Sequence, residues 1–193
     1  MIRSVLLFFI LLIVFLVSVV VMMPIGYPMR VAGLERAGLS YATAEGTLLS
    51  SRISGVEAAG QPLGDVVLEL QPLSLFTGRL SYDVQWGGPS GRGVGEVSVG
   101  LNGELGLNGV NVEQNVAALE GLMNAVRDVG GTVRLRNGTF RFSQDQCQSG
   151  SADLRSDILT LAARPYGRNF GDIIGTVTCE DGAFVVDLES QSD

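Results

Sequence analysis

"LGDVVLELQPLSLFTGRLSYDVQW", residues 63–86, holds two apolar-rich runs parted by a proline. The first, over Asp65–Leu70, reads as a strand. Pro72 has no N–H to give to a sheet ladder and so interrupts it. In the second run Leu80, Tyr82, Val84 and Trp86 alternate with Arg79, Ser81, Asp83 and Gln85. A period of two sends the first four side chains to one face of a strand and the polar ones to the other. The stretch therefore reads either as two panels of sheet joined by a bend or as a loop that carries chemistry, and its surroundings decide between them.

Those surroundings are rich in strand patterns. "VVLEL", "GEVSVGLNGELGLNGV" and "TVRLRNGTFRF" continue the alternation, and 26 glycines in 193 residues point to many short strands and tight turns. Asn102-Gly103, Asn108-Gly109, Asn137-Gly138 and Asp181-Gly182 are turn signals. The last two sit between alternating runs and predict β-hairpins. One segment breaks the pattern: Val112, Val116, Leu119, Leu122, Met123, Val126 and Val129 recur at three- and four-residue spacing, which predicts an amphipathic helix ended by Gly130-Gly131. A shorter helix is expected within Pro28–Gly38. The fold class is mainly β: one curved antiparallel sheet with one internal amphipathic helix.

The first residues differ from the rest. Ser4–Met23 carries no charge, and about 20 apolar residues suffice to cross a bilayer. A cleaved signal peptide has a shorter apolar core of about 7–15 residues and a small-residue cleavage site. The reading is thus an N-terminal transmembrane helix, with residues 1–3 cytoplasmic, 4–23 the anchor, 24–38 juxtamembrane and 39–193 a periplasmic β domain. Arg3 before the run sets that orientation.

Composition narrows the chemistry. The net charge is −7, and the 13 basic residues are all Arg, with neither Lys nor His. An acidic chain without a basic stripe argues against nucleic acid as a partner. Lack of His removes the commonest general base and metal ligand. No catalytic, cofactor-binding or metal residues are assigned, and no cofactor is expected. Carboxylate neighbours such as Asp153/Asp157 and Glu180/Asp181 read more simply as solvated strand and turn residues than as an acid–base pair. Cys147 and Cys179 are expected to form a disulfide outside the cytoplasm. The rival readings, a redox pair or half of a metal site, lack the C-x-x-C spacing and the further soft ligands those sites use.

Together "GTLLSSRISGV", "LGDVVLELQPLSLFTGRL" and "GTVTCEDGAFVVDL" resemble the type II secretion system protein N family (general secretion pathway protein N). The motif that carries most of the resemblance is Leu63, Gly64 and Asp65, then Pro72 and Leu73, then Gly78, Arg79 and Leu80. The family looks related to the AsmA-like group of curved sheets with an apolar inner groove. The resemblance implies a non-catalytic inner-membrane accessory subunit of the secretion machine, facing the periplasm and binding or positioning its other inner-membrane components. The alternative is a lipid- or hydrophobe-binding AsmA-like module of the cell envelope. In either case residues 63–86 become two sheet panels, and Leu80, Tyr82, Val84 and Trp86 the candidate groove or partner face.

Overall fold

The computed structural model describes residues 2–32, 38–58, 60–118, 124–144, 146–168 and 170–190. Two helices come first, α1 (Ile2–Val21) and α2 (Gly26–Ala32). Eleven strands follow: β1 (Leu39–Ser40), β2 (Thr43–Gly46), β3 (Ser50–Ala58), β4 (Gln61–Leu70), β5 (Arg79–Gly88), β6 (Gly91–Gly100), β7 (Leu105–Asn115), β8 (Thr132–Ser143), β9 (Gln146–Ser156), β10 (Ile173–Glu180) and β11 (Ala183–Ser190). Helices α3 (Asn124–Val129) and α4 (Ile158–Ala163) lie in the connections after β7 and β9.

All strands belong to one antiparallel sheet. From β3 to β11 each strand pairs with its neighbour in the chain, and β1 and β2 share the edge of β3. The alternation around residues 63–86 is what builds this meander. β4 and β5 pair Val66 with Trp86, Leu68 with Val84 and Leu70 with Tyr82. The ladder closes with the Gln71 N–H donating to the Ser81 carbonyl at 2.9 Å, after which Pro72–Thr77 forms a 3-10 turn. Pro72 thus stands just beyond the ladder, where its missing N–H costs nothing.

Three expectations change. The first is the anchor. Ile2–Val21 does form a helix of 20 residues, yet among the described residues no helix is long and apolar enough to cross a membrane. The helix also stops short of Met23, which lies in the bend before Pro24.

The second concerns residues 112–129. Val112 is not helical; it pairs with Gly93 and Leu135 inside β7, a 3-10 turn follows at Val116–Ala118, and Asn124–Val129 is helical. Val110 and Val112 alternate as strand residues, and burial in the sheet outweighs the weaker helical spacing. Leu119, Leu122 and Met123 lie outside the described residues. The third concerns Asn108-Gly109 and Asn137-Gly138, which make no hairpin. Both fall inside strands at register shifts, with Val110 opposite Gly138. These are β-bulges on adjacent strands, and bulges bend a strand and increase its twist.

Among the described residues buried side chains are few, because these form one layer of sheet without a second sheet to pack on. Phe140, Cys147 and Ala152 form a cluster on β8 and β9, supported by Leu107, Leu135, Phe142, Val177 and Cys179. Ile53 and Val56 on β3, Ile25 before α2 and Ala163 on α4 are also buried.

Candidate functional site

The registers carry one apolar row across nine strands: Ile53, Val66, Trp86, Gly93, Val112, Leu135, Leu154, Gly175 and Leu188. A parallel row runs Leu70, Tyr82, Val97, Leu107 and Phe140. One face of the sheet is thus apolar from β3 to β11. Glycines in the first row make room for their large partners. A Cβ on Gly93 would collide with the Trp86 indole, and one on Gly175 would crowd Leu188 Cδ2.

Leu80, Tyr82, Val84 and Trp86 all lie on this face. Leu80 is exposed and the other three are half-buried. The Tyr82 hydroxyl donates to the Leu48 carbonyl at 3.0 Å, and burial raises its pKa above the ordinary phenol value. Val84 and Trp86 line an apolar cavity of about 310 Å³ between α2 and the sheet, with Met29, Leu39, Tyr41, Ile53, Val56, Leu63 and Val66. Sequence reading missed the α2 side of this cavity. Its signal was faint, one Met in the short juxtamembrane segment where only a helix was expected, with no partner assigned to it. At the far end Phe184 stacks edge-on against Phe140 and Phe142, with ring centres 5.4 and 5.9 Å away, yet Phe184 is 53% exposed.

Cys147 and Cys179 are joined by a disulfide, Cα atoms 5.8 Å apart, that fastens the start of β9 to the end of β10. The motif positions serve the bend. Gly64 has φ +85, and a Cβ there would strike the Gly87 carbonyl. Gly78 ends the 3-10 turn in the left-handed region, where glycine bears no Cβ penalty. Asp65 and Arg79 are exposed on the polar side, Leu63 faces the cavity, and Leu73 is exposed beside Pro72.

The opposite face is charged. Arg92, Glu113 and Arg134 stand in register on β6, β7 and β8, and Glu113 accepts from Arg92 at 2.9 Å and Arg134 at 3.4 Å. The hydrogen bond from Arg92 is the first cause holding the Glu113 carboxyl below its ordinary pKa. Arg155, directly opposite Arg134, turns instead to Asp172 at 2.9 Å. The carboxylates weighed as an acid–base pair are engaged separately: Asp157 accepts from the Thr132 backbone N–H at 2.7 Å, and Asp153 accepts from Asn137 at 3.0 Å.

A one-layer sheet with one apolar and one charged face, a bend at Pro72 and a late disulfide is the frame against which relatives are compared. The family model for type II secretion system (T2SS), protein N, matches residues 37–193. The chain belongs to the type II secretion system protein N family. It is also 27% identical over 153 residues to the type II secretion system protein N of Vibrio cholerae serotype O1 (strain ATCC 39315 / El Tor Inaba N16961), an alignment covering 77% of this chain. The chain spans 59% of the length of that relative. No solved structure matches it. The family match begins at residue 37, just before β1, and so takes in the whole sheet. Both matches carry the name of a component of protein-secretion machinery.

Proposed function

We propose that the chain is a non-catalytic accessory subunit of the type II secretion system, which binds and positions other inner-membrane components of the machine from the periplasmic side. The observation that carries this reading is the apolar face of a single-layer sheet, which the described residues leave open beyond α2, with Leu80, Phe184, Val186 and Leu188 exposed. A sheet normally buries such a face against another layer, and exposed apolar area of this extent marks an interaction surface. Engagement of Asp153 and Asp157 with Asn137 and Thr132 supports a binding role over an acid–base one. The disulfide suits an oxidising compartment outside the cytoplasm.

Photocrosslinkers at Leu80 and Val186 on the apolar face, with Thr176 on the charged face as the reference, test this in membranes containing the secretion proteins. Crosslinks to secretion components are expected from Leu80 and Val186. Leu80→Asp and Val186→Asp should lower the released fraction of a folded cargo while leaving the melting temperature near that of the parent chain, because both positions are exposed. Normal secretion by both folded variants, with no crosslink from either position, would reject the proposal. A second reading, a lipid- or hydrophobe-binding AsmA-like module, is favoured by the apolar cavity under α2. Native mass spectrometry of the purified chain distinguishes it: a co-purifying lipid lost in Val84→Asp supports this reading, and an empty chain opposes it.

A further inference from the structure

One end of the sheet carries an apolar tip. There the β2–β3, β4–β5 and β6–β7 connections lie side by side. The Leu70 N–H donates to the Leu49 carbonyl at 2.8 Å, and the Leu101 N–H reaches the Gly78 carbonyl at 3.4 Å. A Cβ on Gly78 would meet Leu101 Cδ1 at 3.3 Å. In these connections Leu73 is 78% exposed, Phe76 88% and Leu101 93%, with Leu49 and Leu75 exposed beside them. No strand alternation explains them, because they stand on turns, where polar residues are the rule.

The same end is where α1 leaves. Pro24 bridges to Thr47, and the Ile25 N–H donates to the Gly46 carbonyl at 3.2 Å, so Met22 at the foot of α1 lies beside the β2–β3 connection. Among the described side chains of α1, exposed apolar ones recur at Val19, Phe15 and Val14 and along Val5–Leu12. Farther along this end the turns become polar, with Gln144 and then Asp181-Gly182. At the opposite end exposed Tyr166 and Phe170 sit among Arg164 and Arg168.

We infer that this tip docks on a lipid surface, with Leu73, Phe76 and Leu101 entering the headgroup–acyl boundary. A protein pocket would receive one or two such side chains. A row spread over three adjacent turns and continuous with an exposed apolar helix fits a plane of apolar chains instead, and burial of apolar area is what drives interfacial binding. The inference stands apart from the secretion reading, because its test contains no secretion component.

The test places a single thiol at Thr77 in the tip, or at Arg168 at the far end, in the full chain. Cys147 and Cys179 are bonded to each other, so the introduced thiol is the one available to an environment-sensitive fluorophore. The chain is mixed with vesicles of phosphatidylethanolamine and phosphatidylglycerol and floated. The Thr77 label should shift its emission to the blue and be quenched severalfold more than the Arg168 label by a lipid bearing a shallow nitroxide. The triple variant Leu73→Ser, Phe76→Ser, Leu101→Ser should lose that shift, and circular dichroism reports whether its sheet is retained. Failure to float, equal quenching at the two labels, or a shift that survives the triple substitution in a folded chain would overturn the inference; equal quenching would leave a protein partner as the tip's occupant.

Discussion

Trp86 and Gly93 show how much one register position can carry. The indole lies across the strand from a residue with no side chain, and a Cβ there would run into the ring. Gly93→Ala is expected to cost about 1–3 kcal/mol through overpacking. Trp86→Ala is expected to cost about 2 kcal/mol, below the full range for a buried aromatic because the ring is half-exposed. The double variant should be clearly less destabilised than the sum, since removing the ring frees the space; urea unfolding of all four chains checks this. Trp86 was legible in sequence as an apolar-face residue, whereas its partner Gly93 was not, because alternation says nothing about a position without a side chain. The dipeptides teach a similar lesson. Asp181-Gly182 makes the two-residue turn between β10 and β11, with φ +50 and +81, but Asn137-Gly138 makes a bulge in the middle of β8. Local chemistry permits positive φ at both places, and only strand pairing decides whether the chain reverses.

Between strands, the ladder of Arg92, Glu113 and Arg134 gives a pH dependence with a definite sign. The Glu113 carboxyl is lowered in the folded chain, first by the Arg92 hydrogen bond. Its contribution to stability is therefore present above the ordinary carboxylate pKa and is lost as pH falls through the lowered folded value. Arg92→Gln should move the Glu113 carboxyl back toward its ordinary value, read by carboxyl carbon NMR titration; no movement would mean that Arg134 alone sets it. The disulfide is the second inter-strand tie. Its loop of 32 residues corresponds to about 3.5–4 kcal/mol on the chain-entropy account. Cys147→Ser and Cys179→Ser should each lower stability by similar amounts, and the double variant no further, because one shared bond is lost. Thermal melts would show this. The expected compartment made this pairing legible in advance. The helix expected over 112–129 was started too early because Val112 satisfies both periods at once, standing two residues from Val110 and four from Val116, while Asn124–Val129 is helical as expected.

For the molecule as a whole, a one-layer sheet should be unevenly stable. The buried cluster of Phe140, Cys147 and Ala152 lies on β8 and β9, while β11 has a free edge and β1 and β2 are short. Hydrogen exchange should therefore be slowest in β8 and β9 and fastest in β1, β2 and β11; uniform protection would contradict a core so localised. The mainly β architecture was legible because alternation recurs from residue 39 onward. The apolar tip was not, because exposed Leu and Phe on turns have no period. The pairing of each strand from β3 onward with its predecessor has a kinetic consequence. Contact order is kept low for an all-β chain, since no strand waits for a distant partner, and the longest connections to close are residues 116–131 and 157–172. Such a sheet can zip strand by strand from its N-terminal side while the remainder of the chain is still emerging, and each added strand covers the edge that the previous one exposed.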